Sequence, residues 1–234
     1  MNDFTTAPVL VAEGLFQAYG STQALAGVDV SVAAGESVAI MGASGSGKTT
    51  LLHVLAGIIT PDAGRVTFSG PTGPIEVTAL NEADRSRLRR ERLGFVFQQG
   101  LLIPELTAVE NVALALMING TSRAAAMAHA SGWLHSLGLV GMEERRIGEL
   151  SGGQAQRVAI ARAQVTGASI VFADEPTGAL DSHTSTDVMN ALLWSTTGQG
   201  RTLVVVTHDP QVAAQCDRAV QMRDGRVESH EVAA

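Results

Sequence analysis

The sequence predicts an α/β fold. Three short apolar runs, Ser37–Met41 (SVAIM), Ser169–Ala173 (SIVFA) and Leu203–Thr207 (LVVVT), read as strands buried on both faces. A glycine-rich loop, Gly42–Gly47, follows the first run and leads into a stretch with helical spacing. A helical pattern at Asp187–Trp194 lies between the last two runs, where two parallel strands need a crossover.

In chain order, Val9–Phe16 and Val28–Val32 read as strands of a β-rich opening, with Ala34-Gly35-Glu36 as a turn. After the glycine-rich loop, Lys48–Ile59 repeats Leu51, Leu52, Leu55 and Ile58 at helical intervals, and Thr60-Pro61-Asp62-Ala63-Gly64 ends it with turn residues. Arg65–Phe68 and Ile75–Thr78 read as further strands, although Pro71–Thr78 is the least typical part of the opening. From Asn81 the character turns helical. Asn81-Glu82-Ala83-Asp84 suits a helix start, with acids in the first turn. Further helical stretches run over Ala108–Ile118, Arg123–Leu137 and Gln154–Thr166. Arg85, Arg87, Arg89, Arg90 and Arg92 are expected on a solvated helix face, with Glu82, Asp84 and Glu91 near enough to pair; a lipid or partner surface is the alternative.

The chain has 234 residues, enough for a sizeable core. It is expected to form a single unit, with an α/β core from 1–80 plus 166–234 and a helical subdomain over 81–165. Sixteen Lys+Arg against 23 Asp+Glu give a net charge of −7, which argues against a nucleic-acid coat protein. The one cysteine, Cys216, permits no internal disulfide and no multi-cysteine zinc site, and reads as a buried inert thiol in a reducing compartment. Asp3 and Glu13 precede any cation, so no secretory signal is expected. The apolar run Val112–Ile118 is far shorter than the roughly 20 residues a bilayer span needs.

The chemistry begins at Gly42-Ala43-Ser44-Gly45-Ser46-Gly47-Lys48-Thr49, which fits G-x-x-x-x-G-K-[ST] between a strand and a helix. Glycines let successive amides converge on phosphate oxygens, and the helix start adds partial positive charge. Lys48 is the only lysine in the chain, and an ammonium is a compact, mobile charge for outer phosphates. Thr49 offers a hydroxyl to Mg²⁺, and Thr50 follows in the same run. Downstream, an apolar strand ends in Asp174 and Glu175. Two adjoining carboxylates there are costly unless a cation relieves them, so Asp174 is expected to hold a metal and Glu175 to reach an attacking water, with two acids in a solvated loop as the alternative. Together the two motifs indicate a nucleoside triphosphatase.

Leu150-Ser151-Gly152-Gly153-Gln154, ahead of a helix and between the two nucleotide motifs, resembles the signature of the ATP-binding cassette (ABC) ATPases. Asp174-Glu175-Pro176-Thr177-Gly178-Ala179-Leu180-Asp181 and Gly94-Phe95-Val96-Phe97-Gln98, with Leu102–Val112, resemble the macrolide-export, lipoprotein-release and cell-division branch (MacB/LolD/FtsE-like). The resemblance implies a P-loop NTPase (RecA-like) core with an N-terminal antiparallel β part and an inserted α-helical subdomain. It implies ATP and Mg²⁺, held by Gly42–Thr50, Asp174 and Gln98. Tyr19 resembles the aromatic that stacks on adenine, and His208 the switch histidine near the γ-phosphate. Each, taken alone, would read as a structural residue. Asp181 resembles part of the loop that crosses a dimer interface. Ser151–Gln154 is implied to close on the γ-phosphate of ATP held by a second ABC ATPase subunit, expected to be identical.

Catalysis would then rest on Glu175, His208, Lys48 and Gln98. The chain would drive a separate FtsX/MacB-like membrane permease, contacted near Gln98–Leu106, from the cytoplasmic face of the cell membrane, with no nucleic-acid partner. Leu101, Leu102, Ile103 and Leu106 suit that interface, with burial in the core as the alternative. A soluble or signalling ABC ATPase uncoupled from transport is the other functional class. A simple P-loop kinase would lack Leu150–Gln154.

Overall fold

A computed structural model describes residues 8–70 and 73–232, so Asp3 and Pro71 lie outside the described residues. Two sheets organise it. The first is antiparallel, in the order β2–β1–β4–β5, from β1 (Pro8–Tyr19), β2 (Thr22–Ala33), β4 (Ala63–Gly70) and β5 (Gly73–Glu76). The second has the order β10–β9–β3–β8–β7–β6, from β3 (Ser37–Met41), β6 (Leu93–Phe97), β7 (Ile170–Asp174), β8 (Thr202–Val206), β9 (Arg218–Arg223) and β10 (Arg226–Val232). Its strands run parallel from β6 to β9, and β10 alone is antiparallel. The helices are α1 (Lys48–Leu55), α2 (Glu82–Arg92), α3 (Ala108–Ile118), α4 (Arg123–Ser136), α5 (Gly152–Gln164), α6 (Ser182–Ser195) and the short α7 (Pro210–Ala213).

The three apolar runs form β3, β8 and β7, side by side at the centre of the second sheet. Strand alternation sends their side chains to two cores. Val38, Ile40, Ile170, Phe172, Val204 and Val206 pack with α1 and the antiparallel sheet. Ala39, Val171, Ala173, Leu203 and Val205 pack under α3, α4, α5 and α6. Both faces are covered, which explains continuous rather than alternating hydrophobicity in the sequence.

Several local expectations shift. The first helix stops at Leu55 rather than Ile59, because Gly57 adopts φ +64 and closes it in the left-handed conformation. The strand expected at Ile75–Thr78 is Gly73–Glu76, followed by a 3-10 turn at Val77–Ala79. The stretch 81–165, expected to be helical, also contains β6, paired with β7. β-Branched and aromatic residues (Phe95, Val96, Phe97) favour the strand. Gly94 lets it approach α5, where a Cβ would come 2.4 Å from the Ala163 carbonyl oxygen. β9 and β10 are further strands absent from the sequence reading.

The arginine run lies on α2, where Arg85, Arg87 and Arg89 are paired and Arg90 and Arg92 form no ion pair among the described residues. Arg85 and Arg89 bond Glu82, and Arg87 bonds Asp84. The Arg89 and Arg85 bonds hold the Glu82 carboxyl down at about 2. Glu91 makes no ion pair among the described residues. Cys216 is buried, and that burial pushes its thiol up to about 12.

Candidate active site

Four loops leave the carboxyl ends of neighbouring parallel strands, the position at which open α/β sheets take ligands. β3 runs into Gly42, β6 into Gln98, β7 ends in Asp174 ahead of Glu175, and β8 runs into Thr207 and His208. A cleft of about 680 Å³ opens there, with Lys48, Thr49, Glu175 and His208 in its wall and Thr22 and Ala24 contributed by β2.

The Gly42–Thr49 loop depends on its glycines. Gly42 (φ +151) and Gly47 (φ +100) hold conformations that side chains resist, and a Cβ on either would lie 2.2 Å from a carbonyl oxygen, of Met222 and Ala24 respectively. Gly45 also has positive φ, but open space around it. Ala43, Ser44 and Gly45 are exposed, and Thr50 is half-buried behind them. Gly47 caps α1 without a side-chain acceptor, so the first-turn amides are left for an anion. The buried Ser46 hydroxyl has no hydrogen-bond partner among the described residues. Lys48, 8% exposed, donates from Nζ to the Gly42 carbonyl at 2.7 Å and to the Ala43 carbonyl at 2.8 Å. Its ammonium is thus folded back over the loop whose amides it accompanies.

The Thr49 hydroxyl donates to Asp174 Oδ1 at 3.4 Å. Burial pushes the Asp174 carboxyl above its ordinary value, opposed in part by that hydroxyl. A hard hydroxyl oxygen beside a carboxylate that burial leaves short of positive charge is a donor set that fits Mg²⁺, which takes few protein ligands beside phosphates. Glu175 sits at φ +47, a conformation costly for a non-glycine residue and held here by its amide bond to the Val206 carbonyl at 2.9 Å. Its Oε1 accepts from His208 Nδ1 at 2.8 Å. The His208 ring is otherwise largely exposed to the cleft mouth.

Gln98 is exposed and follows Phe97, which pairs in register with Asp174. Its amide rests against Gly178, where a Cβ would come 2.9 Å from Nε2. Tyr19 closes the β1–β2 hairpin opposite Thr22, half-exposed and outside the cleft wall.

Ser151–Gln154 lies apart from this cleft. Ser151 caps α5 in a reciprocal box: the Gln154 amide donates to Ser151 Oγ at 3.3 Å, and the Ser151 amide to Gln154 Oε1 at 2.9 Å. Gly152 and Gly153 let this corner pack on the next loop and helix, since a Cβ on Gly153 would fall 2.4 Å from Thr184 Cγ2. Asp181 caps α6, accepting from the His183 and Thr184 amides and the Thr184 hydroxyl. Those bonds, the Thr184 amide foremost, hold its carboxyl below the ordinary value.

Two residues to which the sequence assigned no role grip the Gln98 loop. Gln156 Nε2 donates to the Phe97 carbonyl at 2.9 Å, and Arg162 donates to the Gly100 and Leu101 carbonyls at 2.6 and 2.7 Å. The available signal was two polar side chains on a helix whose other residues are mostly small and apolar. A second opening, a groove of about 400 Å³, is lined by Ile58, Phe95, Phe97 and Ile118 with Arg89, Arg90 and Arg162.

Comparison with known proteins gives a concordant result. The family profile described as ABC transporter matches residues 25–178. The lipoprotein-releasing system ATP-binding protein LolD of Bordetella pertussis is 44% identical over 227 residues, covering 95% of this chain and 96% of its own. The macrolide export ATP-binding/permease protein MacB of Chromobacterium violaceum is 44% identical over 203 residues, 87% of this chain but 31% of that longer protein. Among solved structures, the ATP-binding cassette MJ0796, a dimer in a post-hydrolysis state bound to ADP and Pi, superposes with a TM-score of 0.85 at 37% identity, over 96% of this chain and 99% of that one.

Proposed function

The chain belongs to the ABC transporter family and is an ATP-binding, ATP-hydrolysing subunit of a transporter; from that premise we propose how its residues bind and cleave ATP and whom they serve. The triphosphate lies along Gly42–Thr50, received by the uncapped amides of α1, while Lys48 exchanges a carbonyl partner for an outer phosphate oxygen. Thr49 and Asp174 would hold Mg²⁺, with Gln98 approaching from the adjoining strand end; the ion supplies charge neutralisation for the phosphates when bound. Tyr19 lies on the hairpin that continues the Thr22 wall, within reach of a base.

Glu175 takes a proton from the attacking water as its oxygen bonds the γ-phosphorus. The bond from that phosphorus to the β–γ bridging oxygen breaks, giving ADP and phosphate. His208 holds the Glu175 carboxylate through Nδ1 and leaves Nε2 for a γ-phosphate oxygen. The observation that carries this reading is the 2.8 Å Glu175–His208 pair in the same cleft wall as Lys48 and Thr49.

Ser151–Gln154 has no place in its own cleft, so it serves the ATP of a second, identical subunit, with Asp181 and its loop at the seam. Two ATP molecules are buried between two chains, and release of the cleaved phosphate reopens them.

The permease docks on the groove between α2, β6 and α3 and on the adjoining loop. Ile58, Ile118, Leu101 and Ile103 are exposed there, at 39%, 60%, 60% and 40%, whereas Leu102 packs on the core. Of the cations lining the groove, Arg89 is paired with Glu82 and Arg162 with two carbonyls, which leaves Arg90 for an acidic side chain on the apolar segment it takes. No helix among the described residues is long and apolar enough to cross a membrane. Docking on that permease would hold the chain at the cytoplasmic membrane face.

Glu175→Gln tests the reading. The variant is expected to bind ATP, lose turnover and accumulate as an ATP-dependent dimer on size exclusion. A monomer that still hydrolyses ATP would refute it.

A further inference from the structure

Gln98 sits in a loop with an unusual backbone. Gly100 (φ +67) and Leu101 (φ +45) are consecutive left-handed residues, and the second has a side chain that disfavours the conformation. Both of their carbonyls accept from one guanidinium, Arg162, at 2.6 and 2.7 Å. On the other side of Gln98, the Phe97 carbonyl accepts from Gln156 at 2.9 Å. Gln156 is 4% exposed, so breaking that bond strands a buried amide. Arg162 is half-buried and pairs with no carboxylate among the described residues; the two carbonyls are its compensation.

Both donors belong to α5. That helix has 13 residues, about 20 Å of rod, and its first turn is capped by Ser151. Its flank also meets the strand leading into the loop at Gly94, which permits no Cβ against the Ala163 carbonyl. At the loop's far side, the Gln98 amide rests on Gly178, three residues after Glu175. One rigid helix therefore runs from the serine-glycine corner to both flanks of Gln98.

We infer that Gln156 and Arg162 are positioning residues that clamp the Gln98 loop to the signature helix, so that the helix closing on the partner's ATP also sets Gln98 at the chain's own. The inference rests on the two-copy reading above. It couples the two ATP sites of the pair: movement of α5 as its corner meets a γ-phosphate is passed to Gln98 at the other site. Neither Gln156 nor Arg162 touches the nucleotide, so their loss leaves ATP binding intact and reduces turnover.

The test uses the purified full chain carrying Arg162→Met, Gln156→Leu or Arg162→Lys. ATP affinity is expected to stay within about twofold, while kcat falls on the order of 10- to 100-fold for the first two, the loss a misplacement of about 1 Å brings. Arg162→Lys recovers part of the rate, because an ammonium can donate to either carbonyl. In a Glu175→Gln background, amide exchange over Gln98–Ile103 rises in Arg162→Met and no longer responds to ATP, whereas ATP still protects the phosphate loop. Arg162→Met and Gln156→Leu chains that dimerise with ATP and keep parental kcat and exchange would overturn the clamp and leave the dimer standing. Failure of Glu175→Gln itself to dimerise would overturn both. Should Arg162→Met not fold, Gln156→Leu and Arg162→Lys decide by the same readouts.

Discussion

Gly94→Ala adds one methyl group at the closest approach between β6 and α5. The new carbon would lie 2.4 Å from the Ala163 carbonyl oxygen and 3.1 Å from Val171 Cγ2. Ordinary contact begins near 3.4 Å, so strand and helix must separate by about 1 Å. The obstructing atom is backbone inside a helix, and no rotamer change can relieve it. Overpacking of this kind costs about 1–3 kcal/mol, a large part of the roughly 5–15 kcal/mol that holds a domain folded. For a chain of this size that is a fall in Tm of about 2–12 °C. Gly132→Ala is the control: Gly132 lies in α4 with nothing within 4 Å of its Cβ position. There alanine's better helix propensity should stabilise by about 0.4–1 kcal/mol. Urea unfolding and calorimetry on both variants check the pair. Gly94→Ala as stable as the parent, or both variants shifting in one direction, would show that the β6–α5 contact is not as tight as described.

Two further outcomes follow from buried reactive groups. Cys216, with a thiol raised from 9.0 to about 12 by burial, should resist a disulfide-exchange reagent at pH 8 in the folded chain and react at once in urea. Because the folded state holds that proton more tightly, its contribution is present below pH 9 and is lost as pH rises from 9 towards 12, which alkaline unfolding curves of a Cys216→Ala variant would lack. Lys48 carries the only side-chain amine, so acylation there should abolish nucleotide binding and MgATP should protect it; binding that survives complete labelling of Lys48 would contradict its placement.

The central sheet was legible because β3, β7 and β8 are buried on both faces, and continuous hydrophobicity survives any packing detail. β6 was not. Five residues between an arginine-rich helix and a polar loop give too short a pattern, and what makes them a strand is pairing with β7 and the Gly94 approach to α5. The glycine-rich turn at Gly42–Gly47 was legible because the requirement is local: Gly42 and Gly47 must be glycine for their own backbone. The Gln156 and Arg162 contacts were invisible for the opposite reason. Their partners are carbonyls 59 to 62 residues away, and a carbonyl has no residue identity to read. The exposed Ile118, at the end of α3, and Ile58, just past α1, likewise look like core positions in the sequence until the fold leaves a groove between them.

The two helix starts in this chain are built differently, and the difference bears on the proposed pairing with a second copy. α1 begins at a glycine with no side-chain acceptor, so its amides are unclaimed. α5 begins with Ser151 and Gln154 bonded reciprocally, so part of its first turn is already satisfied. A hydroxyl that accepts from the Gln154 amide still has its own proton to give, and Ser151 is exposed. The first start can enclose a phosphate chain; the second can offer one hydroxyl and a helix end to a phosphate already held elsewhere. In one chain they do not meet: the cleft wall contains Lys48, Thr49, Glu175 and His208 but none of Ser151–Gln154. An enclosing site and a capping site at separate places on one molecule can meet between two molecules, and a two-fold pairing satisfies both at once. On the proposed dimer the γ-phosphate is then a group that both starts contact, so its departure as phosphate removes a contact between the chains.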